Sequence, residues 1–119
     1  MSYFMASNHF FYVLYCRDDT LYAGYTTNYY RRLRQHNSGQ GAKYLKAASR
    51  RPARLIYVES WPTKRQAMQQ EYWFKQLTRR QKEHYLAYHQ VEELTQPFIT
   101  AFQRQTEEIG AYYEYSTKL

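Results

Sequence analysis

The 119-residue sequence predicts an α/β domain: a small, mostly antiparallel three-stranded sheet flanked by helices, with a helical C-terminal extension. Three features point there. Two aromatic and β-branched runs, Phe10–Cys16 and Leu21–Tyr25, are separated only by the turn-forming Arg17-Asp18-Asp19-Thr20 and read as a hairpin. Segments over 29–37, 64–77 and 79–88 each follow a residue suited to capping a helix: Asn28, Thr63 and Thr78. Beyond Leu86 the composition turns from basic to acidic and aromatic.

Phe10–Cys16 is apolar at nearly every position, as in a strand buried on both faces. Gly24 in the second strand marks a bulge or a close approach to the backbone. In the first helix Tyr29, Arg32, Leu33 and His36 share one stripe, at offsets 0, 3, 4 and 7. The connection from Ser38 to Pro52 is long, has room for one helical turn over Ala42–Ala48, and carries Lys43, Lys46, Arg50 and Arg51. Its basic content points to contact with a substrate. Ala53–Ser60 reads as a third strand whose alternation predicts less burial than the first. Pro97 suits the first turn of a last helix, with Phe98, Ala101, Phe102, Gln105 and Ile109 on one stripe and Gly110 at its end. The chain thus divides into a flexible lead-in (1–9), a domain (10–88) and an extension (89–119). The extension could pack on the domain, pair with a second copy or dock a protein partner.

The length suits one core and one domain. No run approaches the roughly 18 apolar residues of a membrane span, and the N-terminus lacks a signal-peptide pattern, so a cytoplasmic protein is expected. One cysteine, Cys16, excludes an internal disulfide; with four scattered histidines it leaves no zinc site of the usual spacing. The net charge is +7, but it divides into +10 up to Leu86 and −3 beyond. A small domain with that field favours polyanions, whose released counterions drive binding. Fifteen tyrosines supply rings for base stacking as well as for the core.

Helical spacing over 64–77 places Glu71 in the stripe of Ala67 and Phe74, with Met68 and Lys75 along its edge. A carboxylate there needs a cation. An ion pair with Lys75 or with an arginine of the first helix is one reading, and a metal ligand is the other. A second geometric condition concerns Tyr12 and Tyr22. A two- or four-residue turn would put them on opposite faces of the hairpin; a three- or five-residue connection, or a bulge near Gly24, would bring them together. The odd connection or the bulge is expected.

In order along the chain, Phe10-Phe11-Tyr12, Tyr22-Ala23-Gly24, Arg32, His36 and Glu71 resemble the signature of the GIY-YIG nuclease superfamily. The first tripeptide keeps one of three signature residues and the second keeps two. The strings RRLRQHNSGQGAKY and RRPARLIY are similar to its small single-domain branch, which includes the catalytic subunit of a structure-selective endonuclease. The resemblance covers about 10–86. It implies hydrolysis of DNA phosphodiesters, branched or nicked forms among them, at one Mg²⁺ or Mn²⁺ ion on Glu71. It implies Arg32 at the transition-state phosphate and Tyr22 or Tyr12 as general base, with His36 relaying the proton or orienting Tyr12. The basic connection, with Lys43, Lys46, Arg50 and Arg51, and the face of Arg31, Arg34, Arg79 and Arg80 would hold the backbone. The rival reading is a nucleic-acid-binding module of the same fold with little or no cleavage, or a subunit that needs a partner.

Overall fold

The computed structural model describes residues 8–103. Four strands, β1 (His9–Tyr15), β2 (Leu21–Thr26), β3 (Arg54–Trp61) and β4 (Thr100–Gln103), form one sheet in the order β2-β1-β3-β4. β1 lies antiparallel to both β2 and β3, while β4 runs parallel to β3. The sheet is therefore four-stranded and mixed, which corrects the three-stranded expectation. The correction comes from the segment expected as a helix behind Pro97. Thr100–Gln103 pairs residue for residue with Tyr57–Ser60, because an open edge of β3 supplies hydrogen bonds to an extended chain. Gln96 steers the chain there: its amide donates to the Ile56 carbonyl (3.2 Å), the Phe98 carbonyl (2.8 Å) and Thr100 Oγ1 (3.0 Å). Gln105, Ile109 and Gly110 of the expected helix, and all of the expected lead-in before Asn8, lie outside the described residues. His9 belongs to β1 rather than to a flexible lead-in.

β3 is also more buried than its alternation suggested. With β1 on one side and β4 on the other, Leu55 through Glu59 are all buried. A register shift against Val13/Leu14 makes Ile56 an extra residue, so that Leu55 pairs with Leu14 and Tyr57 with Val13.

Helices α1 (Tyr29–Asn37), α2 (Lys64–Lys75) and α3 (Arg79–Tyr88) start where their caps predict. The side chains of Asn28 and Thr63 accept from the backbone N–H groups of Arg31 and Gln66; Thr78 and Gln81 form a capping box. One face of the sheet packs Phe11, Val13, Tyr57 and Trp61 against Ala67 and Phe74 of α2 and Tyr85 and Leu86 of α3. The other packs Tyr12, Leu14, Leu55 and Val58 against Leu33 of α1 and Leu45. The connection after α1 is folded, with 3₁₀ turns at Lys43–Lys46 and Ala48–Arg50, and burying Leu45 fully is worth about 1.5–3 kcal/mol. The Asn37 amide clamps the end of α1 to the start of β3, donating to the Ala53 carbonyl (3.0 Å) and accepting from Ala53 N–H (2.7 Å).

Candidate active site

Tyr15 pairs with Leu21, so five residues connect β1 and β2, and Leu14 pairs with Tyr22. Tyr12 and Leu14 share a face, hence so do Tyr12 and Tyr22, whose ring centroids are 6.4 Å apart. Tyr12 pairs with Gly24 and lays its ring across it. A Cβ on Gly24 would stand 2.4 Å from the Tyr12 hydroxyl, so the glycine is required by the tyrosine opposite it. The pairing of β1 with β2 is unbroken at Gly24.

His36, fully buried on α1, sits behind both tyrosines, with centroids 6.0 Å from Tyr12 and 5.3 Å from Tyr22. Its Nδ1 accepts from the backbone N–H of Ala42 (3.2 Å), and its Nε2 lies 2.7 Å from the Tyr12 hydroxyl. Burial first, then the charge of Arg32, lower its pKa to about 4, so the ring is neutral near pH 7. A neutral imidazole whose Nδ1 accepts carries its hydrogen on Nε2. His36 therefore donates to Tyr12 and leaves the tyrosine's own hydrogen free to point elsewhere. Gly41 makes the Ala42 contact attainable, since a Cβ there would lie 2.4 Å from His36 Nδ1 and 2.8 Å from its Cα.

Glu71 and Lys75 come from α2, which packs on the opposite face. Because β2 is the edge strand, they reach past it to Tyr22. Lys75 Nζ is 2.7 Å from Glu71 Oε2 and 5.5 Å from the centre of the Tyr22 ring. Gln70, not Glu71, takes the fully buried polar position of α2, donating to the Tyr85 hydroxyl (2.8 Å). The Glu71 side chain is 19 % exposed, at the margin of the stripe rather than within it. Arg32 donates to Gln35 (3.0 Å), and its charge acts on both tyrosines, as does that of Glu71.

Tyr12, Tyr22, Arg32, His36 and Glu71 thus meet at one edge of the sheet. Their electrostatics differ. Burial raises the Tyr12 pKa far above the ordinary tyrosine value, reinforced by Tyr22 and opposed by Arg32. Burial also raises Tyr22, but Lys75 is the largest influence pulling it back. Tyr44, stacked on Tyr22 with centroids 5.7 Å apart, closes the other side. Tyr44, Gly41, Ala42 and Lys75 were not singled out as site residues in the sequence. Only Lys75 had a visible signal, its i,i+4 spacing from Glu71.

The expected phosphate contacts divide. Arg31, Arg34, Lys43, Lys46 and Arg80 are exposed. Arg50 is committed internally, paired with Asp18 (3.1 Å), donating to the Tyr44 carbonyl (3.1 Å) and lying 3.8 Å from the Tyr44 ring centre. Arg79 binds the Asp19 carbonyl (2.6 Å) and Glu83 (2.6 Å), and Arg51 packs on Gly39. These three hold the scaffold, where a free backbone-binding face was expected.

A family model described as the GIY-YIG catalytic domain matches residues 8–85. The chain belongs to the GIY-YIG family. Within it, this GIY-YIG protein is 56 % identical over 80 residues to the UPF0213 protein YazA of Bacillus subtilis, covering 67 % of this chain and 79 % of that one. It is 53 % identical over 79 residues to a UPF0213 protein of Enterococcus faecalis, covering 66 % and 90 %. A solution NMR structure from E. faecalis matches at 50 % identity with a TM-score of 0.50, over 71 % of this chain and 88 % of that one.

Proposed function

We propose that this GIY-YIG protein is a metal-dependent endonuclease that hydrolyses DNA phosphodiester bonds. The observation that carries the reading is the convergence of Tyr22, Arg32, Glu71 and Lys75 at the open edge of β2, backed by a Tyr12–His36 pair that burial holds neutral. Among the described residues no group of three His, Cys, Asp or Glu could cage a metal. A single partly exposed carboxylate still fits a hard cation such as Mg²⁺ or Mn²⁺, which binds through one or two carboxylates and keeps several waters. When bound on Glu71, the ion supplies Lewis-acid polarisation of the phosphate and stabilises the leaving oxygen.

The chain's own groups do the rest. Tyr22 is the general base: it is the less buried of the two tyrosines, with Lys75 the leading influence that lowers its pKa, whereas deep burial holds Tyr12 in its protonated form despite the neighbouring Arg32. Arg32 binds a non-bridging oxygen and stabilises the transition-state charge. His36 orients Tyr12 rather than relaying a proton, because its Nδ1 is taken by Ala42 and its Nε2 carries hydrogen. Tyr12 turns its hydroxyl hydrogen toward the water or phosphate.

A second reading has one specific support. Lys75 Nζ pairs with Glu71 Oε2 at 2.7 Å, as it would in a module that binds nucleic acid without cutting it. Labelled single-stranded, duplex, nicked and branched DNA, incubated with Mg²⁺, Mn²⁺ or EDTA beside Glu71→Gln, separates the two. The nuclease cleaves at least one of them with metal and loses about a thousandfold or more in Glu71→Gln. Cleavage that survives both EDTA and the substitution overturns the one-metal mechanism. Intact binding with no cleavage under any metal establishes the module. We place the protein in the cytoplasm; among the described residues no helix is long and apolar enough to cross a membrane. Pairing with a second copy or a protein partner through 89–119 is tested by sedimentation and co-purification.

A further inference from the structure

The outer face of α2 has no role in the chemistry above, yet it is built unlike an ordinary solvated helix face. Tyr72 is 69 % exposed and Met68 46 %. Together with Lys64, Arg65 and Gln69 they line a shallow groove of about 590 Å³ whose walls are almost wholly carbon. The first turn of α2 contains no acidic residue, so Lys64 and Arg65 lie where the helix dipole opposes cations. Among the described residues neither makes an ion pair. They therefore contribute little to holding the helix, and their charge faces outward.

The groove lies on the same helix that carries Glu71 and Lys75, to one side of the site. At about 100° per residue, Lys75 lies about 40° around the helix from Glu71, Met68 about 20° further and Tyr72 about 40° beyond that. Lys75 touches Glu71 at one end, while Lys64 and Arg65 mark the other, about 16 Å away along the axis. Cations at both ends with an exposed ring and a thioether between them match a strand of phosphates and bases. They do not match the same face of a second copy, because a self-complementary contact there would bring these cations against themselves.

Resting on the nuclease reading, we propose that this groove is a binding site for unpaired nucleic acid leaving the cleavage point: a base stacks on Tyr72 against Met68, and Lys64 and Arg65 hold the phosphates that follow. The protein thereby favours substrates with a single-stranded flank over continuous duplex.

The test uses the full chain in EDTA, where cutting is suppressed, with fluorescence anisotropy on three labelled probes: a single-stranded 12-mer, the same strand with abasic sites, and its duplex. Tyr72→Ala is expected to weaken binding of the normal single strand about tenfold, to abolish its advantage over the abasic strand, and to leave duplex binding within about twofold. Lys64→Ala/Arg65→Ala is expected to reduce the salt slope on the single strand by about one to two. Both changes are at exposed positions, and unchanged thermal melting confirms folding. Equal loss on single strand and duplex, or single-strand affinity within twofold of wild type, overturns the groove. So does Tyr72→Ala breaking a dimer seen by sedimentation while oligonucleotide binding stays unaltered. The nuclease reading fails separately: a Tyr72 effect on binding with no cleavage by the wild type under Mg²⁺ or Mn²⁺ sinks the nuclease and leaves the groove standing.

Discussion

Tyr12 and Tyr22 share a residue type, a sheet face and a histidine neighbour, but their hydroxyls are set apart by depth and by Lys75. Tyr22→Phe is expected to lower the single-turnover rate by about a hundredfold or more, the usual worth of a general base. Tyr12→Phe is expected to lower it less, while costing about 1–3 kcal/mol in denaturant titrations, because the buried His36 Nε2–H loses its acceptor. The rate should rise with pH through the neutral and alkaline range, since the Tyr22 pKa lies above the ordinary value. Lys75→Met removes the cation that pulls it down, so the rise should move to higher pH. The same variant should bind Mn²⁺ in the absence of DNA up to about fivefold more tightly, the measure of a half-exposed ion pair of about 0.2–1 kcal/mol. His36 gives a stability signature of its own. Its folded pKa of about 4 lies below the ordinary 6.5, so the unfolded chain takes the proton first as pH falls. The stabilisation is complete above pH 6.5 and lost progressively down to pH 4, on the order of 3 kcal/mol in all. Thermal melts of wild type against His36→Gln over pH 7 to 4 should converge by that amount; parallel curves would show that His36 is not buried neutral.

Between elements, two glycines and one capping box set the accuracy with which strands and helices meet. Gly24 lets Tyr12 lie flat across β2, and Gly41 lets the connection after α1 close on His36. Gly24→Ala has nowhere to put its methyl without moving a ring that is 2 % exposed. It should destabilise by about 1–3 kcal/mol and reduce cleavage at temperatures where the variant is fully folded. Thr78→Ala is the contrasting case. It removes the α3 capping box at a cost of about 1 kcal/mol but touches nothing in the site, so the rate on the folded protein should be unchanged. Gly24 was legible as a place of close approach; which residue approaches depended on the cross-strand register.

On the scale of the whole molecule, the basic field is distributed in two ways that composition cannot distinguish. Arg31, Arg34, Lys43, Lys46 and Arg80 are exposed, whereas Arg50, Arg51 and Arg79 are used internally. Alanine at each exposed cation should flatten the log-affinity against log-salt plot by about one for every phosphate no longer held, with stability unchanged. Arg50→Ala and Arg79→Ala should instead lower the melting temperature and leave that slope alone. The opposite face holds a buried carboxylate, Glu59, which accepts from the Tyr57 hydroxyl (2.6 Å), Trp61 Nε1–H (2.9 Å) and the Tyr85 hydroxyl. An amide there sets an extra donor against donors, and Glu59→Gln should cost several kcal/mol in chemical denaturation.

The local features were written in the residues themselves: the hairpin, three helices with their caps, and the five side chains that meet at the site, whose order along the chain carries the GIY-YIG signature. Periodicity and capping act over a few residues, so they survive being read in one dimension. Tertiary structure decided what depends on partners distant in the chain. Thr100–Gln103 became a strand because β3 offered an unpaired edge, against a proline and an apolar spacing that suit a helix. Glu59 is buried because Tyr85, brought over it by α3, completes the set of donors that Tyr57 and Trp61 of its own strand begin. Lys75 belongs to the site because β2, as the edge strand, lets α2 reach around to Tyr22. In each case the deciding contact joins elements far apart in the chain, and no spacing within one segment encodes it.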